Sequence, residues 1–487
     1  MNDIPNYPQS LQSNGRYIPS QTTEAWFVIG LFVVITLFLL AVGSIGSKAL
    51  NFIFPLGSFA VAWFLYFRYP SLYIGFVWWN LFLVCFVRRI ADFRIGAFTD
   101  SSPILLAPYL AILVCGHSLF FNLPKVKEKG TLPFVLALAS VLYGYCVGLL
   151  YPGISPIKVT ASLLGWIAPI LFGHHLYINW RRYPEYSRVT RNVFLWGTLL
   201  MGVYGVYQYV VAPEWDRLWL VASGMDSSSG RPEPYGMRVW STLNSCGVYA
   251  DMIATALLVL FSCKGPMVLP ASLFGGLSLL LTSVRTGWLG LLSGMIFISI
   301  SLTVKQRIRL IGGILILAVC IVPVVSIEPF STTITQRLNS LSDLENDDSA
   351  RTRKRIYQDF FEYGIYNLTG DGIGTHDTVD SGPLSFVLDL GWIGSIPYVG
   401  SMVLSITALF RNQSKSSDLF IKASCSILVK SMFFFLAARI TVGVTGIVIW
   451  GFLGIAMAGQ HYLQQEQKLQ LALDFGSTGT KKEYSDY

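Results

Sequence analysis

The chain has 487 residues, of which 53% are apolar and only 13% charged, with a formal net charge of +8. Soluble domains carry about 25% charged residues, so a water-solvated globule of this length is excluded. No basic stripe with interleaved aromatics occurs in a polar segment, which excludes nucleic-acid binding, and the positive balance suits loops that face anionic lipid.

Residues 1–24 are polar and lack a basic stretch followed by a short apolar core. No cleaved leader is therefore expected, and the first apolar run serves as a signal anchor. Apolar runs follow at 25–42, 49–67, 71–87, 103–122, 131–151, 157–178 and 190–211. After a polar interval they resume at 247–262, 267–284, 286–303 and 308–326. The last three are 383–408, 421–440 and 441–458. A helix needs about 20 apolar residues to span a bilayer, and backbone amides in lipid must be bonded within the helix. The expected fold is all-α, a polytopic integral membrane protein with about 12–14 transmembrane helices and a large, partly helical extracytoplasmic loop.

The organisation follows from these runs. It comprises a polar tail at 1–24, N-terminal membrane helices at 25–211 and an extracytoplasmic loop at 212–246. Core membrane helices occupy 247–326, a large extracytoplasmic loop 327–382, C-terminal membrane helices 383–459, and a cytoplasmic tail 460–487. The tail is expected to be disordered beyond a short helical extension to Leu473. Short basic loops containing Lys125 to Lys129, Arg181 to Arg188, Lys305 to Arg309, and Arg411 with Lys415 fall on one side, which the positive-inside rule makes cytoplasmic, with both termini. Arg88, Arg89 and Arg94 fall on the wrong side. Either the early spans are displaced, or these arginines meet an anionic partner.

The seven cysteines lie mostly in apolar runs and form no CxxC pair, so they read as small buried hydrophobes. No metal-ligand cluster is visible. The run Asp343, Glu345, Asp347, Asp348 reads as a solvated face, and His117, His174 and His175 as structural.

Charges inside membrane spans are costly unless paired, so each is a functional candidate. Asp251, Arg285, Asp389 and Arg439 all fall near the extracytoplasmic ends of their spans, and Lys430 nearer the middle. Asp389 with Arg439 is an expected ion pair. Arg238, Arg353 and Asp380 lie in the outer loops near helix ends. The polar groups thus gather in one layer, where an anionic lipid head group would sit.

Three segments carry the strongest patterns. Arg238-Val239-Trp240-Ser241-Thr242-Leu243-Asn244-Ser245 enters a span. Leu281-Thr282-Ser283-Val284-Arg285-Thr286-Gly287 places an arginine between two apolar helices, flanked by small residues. The large loop contains Arg351-Thr352-Arg353-Lys354-Arg355-Ile356-Tyr357, then Gly370-Asp371-Gly372-Ile373-Gly374, then Asp380-Ser381-Gly382-Pro383-Leu384. Over about a third of the chain, residues 230–400, their order and spacing resemble the O-antigen ligase and O-antigen polymerase family. Arg285 matches that family's arginine at an outer helix end. Arg353 matches its loop arginine and begins an Arg-x10-Gly pattern that ends at Gly364. The ligases carry a histidine before the following span. Here Asp380 stands at that place, as in the polymerase branch, with His376 four residues earlier.

The resemblance implies a polymerase-type glycosyltransferase that moves an oligosaccharide from an undecaprenyl-diphosphate-linked donor to a glycan hydroxyl, outside the bacterial cytoplasmic (inner) membrane. Arg285 and Arg353 would bind the diphosphate, with Arg238 as a third contact, because arginine stays charged and grips phosphate oxygens bidentately. Asp380 would act as base, with His376 as the alternative. A lipid-linked oligosaccharide donor, a glycan or lipid acceptor, membrane lipids, a chain-length regulator and a flippase are the implied partners, with no cofactor and no metal. Two other readings stand beside it. One is an O-antigen ligase using lipid A core as acceptor. The other is a flippase or transporter of lipid-linked oligosaccharide, for which a midplane cavity lined by Lys430 would speak. Asp380 or Ser381 could equally cap a helix ahead of Pro383, and Arg351 and Arg355 could simply neutralise lipid phosphates.

Overall fold

The computed structural model describes residues 22–123, 130–328, 330–331, 381–413, 418–436 and 438–482. Between 331 and 381 it describes 355, 357, 358, 360–362 and 364–376. Arg353 and Asp380 lie outside the described residues, as do the acidic run 343–348, the basic loop 125–129 and Lys415.

The described chain is helical, with one isolated antiparallel bridge, Gly230 with Met237. The first half contributes α1 (Thr22–Ala41), α2 (Ser44–Arg68), α3 (Pro70–Ile95), α4 (Pro103–Asn122), α5 (Leu132–Leu150), α6 (Pro156–Ile178) and α7 (Tyr183–Val211). Proline at the first or second position starts α3 to α7. At those positions the missing N–H costs nothing and φ is preset. A short loop helix, α8 (Glu214–Ala222), precedes α9 (Cys246–Leu260), α10 (Val268–Leu281), α11 (Arg285–Ser301) and α12 (Val304–Val325). The large loop leads to α13 (Gly382–Gln413), α14 (Leu419–Phe435) and α15 (Gly443–Lys482).

Every apolar run of the sequence folds as a helix. Among the described residues ten are long and apolar enough to cross a membrane. The remaining four, α9, α10, α11 and α14, have 15, 14, 17 and 17 residues. The protein is an all-α integral membrane protein. Alternation of the helices puts both long loops at one end of the bundle, here the loop end, and the described basic residues Arg181, Arg182, Arg188, Lys305 and Arg411 at the other.

The tail, expected to be disordered after a short extension, is helical to Lys482. Its sequence, Leu463-Gln-Gln-Glu-Gln-Lys-Leu-Gln-Leu-Ala-Leu-Asp474, consists mostly of strong helix formers. Helix α3 runs to Ile95, so the misplaced arginines are helical rather than in a loop. Arg88 pairs with Asp92 at 3.1 Å and donates to the Thr99 carbonyl. Arg89, fully buried, pairs with Asp216 of α8 at 3.2 Å and donates to the carbonyls of Ser241 and Leu243. The anionic partner therefore exists, and it belongs to the protein. Burial raises the Asp216 carboxyl above its ordinary pKa, against the pull of Arg89, Tyr204 and Gln208.

Backbones approach closely where glycines face each other. Gly173 of α6 and Gly454 of α15 leave no room for a Cβ between them, the small-residue contact by which membrane helices pack. Lys430 of α14 is buried and donates to Asp251 Oδ1 at 2.6 Å, Asp251 O at 3.1 Å and Thr255 Oγ1 at 2.7 Å, tying α14 to α9.

Candidate functional site

Two loops dip into the loop end of the bundle. The first is 238–245. The Ser241 hydroxyl donates to the Met201 carbonyl at 2.6 Å. Met201 lies ten residues before the end of α7, so Ser241 sits roughly 15 Å below that end. Gln208 Oε1 accepts from the backbone N–H groups of Trp240 and Ser241 at 3.0 and 2.8 Å. Arg89 holds the same stretch through the Ser241 and Leu243 carbonyls.

This loop fixes the α10–α11 turn. Val239 N–H donates to Leu281 O at 3.1 Å. Arg238 donates through Nε to Thr282 O at 3.0 Å, through Nη2 to Ser283 O at 3.1 Å, and through Nη1 to Ser228 O at 2.7 Å. Ser283 adopts a left-handed φ of 55°, and the Thr282 hydroxyl accepts from Val284 N–H at 3.1 Å. The chain then turns into α11 at Arg285, which is half-buried. A guanidinium at the first residue of a 17-residue helix adds its charge to the positive end of the helix dipole. That end is a ready anion site.

The second re-entrant loop is 367–376, the glycine-rich segment. Ile373 N–H donates to Gly144 O of α5 at 3.0 Å, and Asp371 N–H to Leu388 O of α13 at 2.7 Å. Tyr143 donates to Thr369 O at 3.0 Å. Gly391 breaks α13 with φ 59° and ψ −176°. The backbone N–H groups of Trp392 and Ile393 instead bond Asn367 O and Leu368 O, at 3.3 and 3.2 Å. Gly372, at φ 92°, lies directly on the Gly148 backbone, where any Cβ would collide. A broken helix end and a loop thus satisfy each other's amides, the condition for irregular backbone at this depth.

The loop ends in an acid–imidazole pair. His376 Nε2 and Asp371 Oδ2 are 2.8 Å apart, with side chains 34% and 30% exposed. The His376 carbonyl accepts from Arg439 Nη1 at 2.9 Å. Arg439 pairs through Nη2 with the buried Asp389 of α13 at 2.5 Å and stacks over Trp166 at 5.5 Å. The expected Asp389–Arg439 pair is therefore present, and it fixes the histidine's backbone. In the sequence Asp371 reads only as part of a tight turn. Its signal is a carboxylate five positions before a histidine.

The end of α14 packs against the heads of α11 and α13. Phe434 packs on Gly287 and Gly290 of α11, and Phe435 on Gly382 at the head of α13. Tyr357 from the large loop donates to Leu436 O at 2.9 Å. Ser381 caps α13, its hydroxyl accepting from Leu384 N–H at 3.4 Å. The capping role open between Asp380 and Ser381 thus falls to Ser381. Arg355 is exposed. Among the described residues no group of three or more His, Cys, Asp or Glu is arranged to hold a metal.

The architecture is that of an integral membrane protein with two loops folded into one end of its helix bundle. Residues 270–399 match the family model described as O-antigen ligase. Over that segment the chain is similar to the O-antigen ligase family. The match covers just over a quarter of the 487 residues. It contains Arg285, Arg353, the 367–376 loop, Asp380 and Asp389, and leaves Arg238 and Arg439 outside. No curated protein matches the chain.

Proposed function

We propose that the protein is a polymerase-type glycosyltransferase of surface or exopolysaccharide assembly. It acts on an undecaprenyl-diphosphate-linked oligosaccharide at the outer face of a bacterial cytoplasmic membrane. The observation that supports this reading is that the matched segment carries both Arg285, at the N-terminus of α11, and the His376–Asp371 pair of the 367–376 loop.

In this reading the acceptor hydroxyl attacks the anomeric carbon of the donor. The new C–O bond forms as the bond to phosphate breaks, and the lipid diphosphate leaves with the electron pair. Arg285 and the N-terminus of α11, with Arg353, meet the charge that develops on the diphosphate, and need no metal to do so. If the His376 Nε2–H donates to Asp371, Nδ1 is left as the acceptor for the hydroxyl proton, the orientation a general base requires. Asp380, one residue before the cap of α13, is the alternative base. Arg238 spends three of its donors on the turn before Arg285, so its contribution to donor binding runs at least partly through that turn.

The transporter reading needs Lys430 to face a midplane cavity. Lys430 is fully buried, with three hydrogen bonds to α9. Purified protein given a lipid-linked oligosaccharide, with a glycan acceptor in one reaction and lipid A core in another, tests the assignment. Elongated glycan supports the polymerase. Transfer to lipid A core alone makes the protein a ligase, and no transfer to either removes the enzymatic reading.

A further inference from the structure

Four described residues other than glycine hold a left-handed φ: Ala212 at 47°, Tyr235 at 62°, Ser241 at 51° and Ser283 at 55°. Ala212 caps α7, Tyr235 and Ser241 lie in the 212–245 loop, and Ser283 lies in the α10–α11 turn that this loop holds. Such backbone is costly and persists only where neighbours over-determine it, a condition that recurs at active sites and ligand clamps. Three of the four lie outside the family match, which begins at residue 270.

The neighbours that impose these angles are specific. Tyr235 N–H donates to Tyr209 O at 2.7 Å, and Arg217 Nε donates to Ala212 O. Ser241 spends its hydroxyl on Met201 O, its N–H on Gln208 Oε1 and its carbonyl on Arg89. Gln208 is the junction. It is fully buried in the last turn of α7, receives the Trp240 and Ser241 N–H groups on Oε1, and donates through Nε2 to Asp216 Oδ2 at 2.8 Å. Asp216 is held in turn by Arg89 and by the Tyr204 hydroxyl. A side-chain amide both accepts and donates, so glutamine meets both demands with no charge to compensate. A carboxylate at 208 would face Asp216, and an apolar side chain would leave two backbone donors bare.

From Gln208 the constraint passes along a few residues of backbone. Val239 N–H bonds Leu281 O, and the Arg238 guanidinium grips the carbonyls of Thr282 and Ser283, three and two residues before Arg285. A planar fork on two successive carbonyls fixes direction as well as distance. We propose that Gln208 is a positioning residue, which sets the place of Arg285 through the strained 238–241 stretch. The catalytic consequence rests on the glycan-transfer reading; the hold on the turn does not.

Hydrogen exchange and glycan transfer by the purified full chain in detergent test this together, with a lipid-linked oligosaccharide and a glycan acceptor as substrates. Gln208→Met should raise exchange in 281–287 and leave 367–376 as in wild type. Its kcat should fall about 10²-fold, the cost of a misplacement near 1 Å. KM should change little, because Arg285 meets charge that develops in the transition state. In an Arg285→Ala background the same substitution should cost little further rate, whereas its effect on unfolding temperature should be the same in both backgrounds. Ser241→Gly relieves the left-handed strain and serves if Gln208→Met fails to fold. It should likewise loosen 281–287 and slow transfer. Unchanged exchange at 281–287 overturns the proposal whatever the transfer assay gives. So does an equal fold-loss of rate in both backgrounds, the mark of a general structural role. A loosened turn in a protein whose wild type transfers no glycan overturns the glycan reading and supports the hold on Arg285.

Discussion

Lys430 and Asp251 form an ion pair at 2.6 Å with side chains 0% and 2% exposed, in the middle of a group of short helices. Thr255 and the Asp251 carbonyl take the remaining ammonium protons. Removing one partner of such a pair strands a buried charge, which costs about 3–5 kcal/mol, whereas replacing both by apolar groups is often neutral. Lys430→Met should therefore lower unfolding stability by about that amount, and Lys430→Met with Asp251→Leu should regain most of it. Thermal unfolding of the purified variants in one detergent reads both, and a double variant no better than the single one contradicts the pairing.

Arg285 combines a fixed charge with a helix N-terminus. Arg285→Ala should reduce glycan transfer by about 10²–10³-fold, the usual loss on removing one donor to developing charge. Lysine keeps the charge but not the planar fork, so Arg285→Lys should fall between. Chain-length profiles of surface glycan in complemented cells, together with transfer rates of purified protein, measure both. Full-length glycan from the alanine variant would remove Arg285 from the site.

His376 and Asp371 act as a unit in the proposed chemistry. Asp371→Asn and His376→Gln should each lower the rate by about 10²-fold or more. The double variant should be scarcely worse than the poorer single, because groups that work together are not additive. Multiplying losses would show that the two residues act separately. Backbone bonds through Ile373 and Asp371 N–H hold the loop in either variant, so unfolding temperatures should change little.

Two glycines with similar φ separate strain from close approach. Around Gly153, at φ 83°, nothing lies within 4 Å of the place a methyl group would take, whereas Gly372, at φ 92°, touches Gly148. Gly153→Ala should cost only the left-handed strain, about 1–2 kcal/mol, and keep activity. Gly372→Ala adds a collision of about 1–3 kcal/mol and should abolish transfer by unseating the loop. Activity retained in Gly372→Ala would show that the loop tolerates displacement.

Run length and apolarity make the helices legible in the sequence, because lipid leaves the backbone no alternative. The sidedness of Arg88 and Arg89 is not legible there. The partners of Arg89, Asp216 and the Ser241 and Leu243 carbonyls, are distant in sequence, and local charge counting cannot see them. Asp389 with Arg439 is readable, since two charges near the same depth of neighbouring spans have few other choices. The glycine-rich loop is visible only as a turn. Its descent to Leu388 and Gly144 depends on the break at Gly391, and an isolated glycine in an apolar run gives little notice of that. Arg238 reads as a phosphate ligand because arginine usually is one, whereas here neighbouring carbonyls claim much of its guanidinium.

The break at Gly391 has a mechanical side. Trp392 and Ile393 surrender their N–H groups to Asn367 and Leu368, so the loop is spliced into the membrane helix rather than draped over it. Lifting 367–376 away would leave those amides bare in an apolar surround. In the proposed chemistry this loop would serve as a stationary anvil, and any swinging part that admits the donor or frees the product would have to be sought elsewhere in the chain.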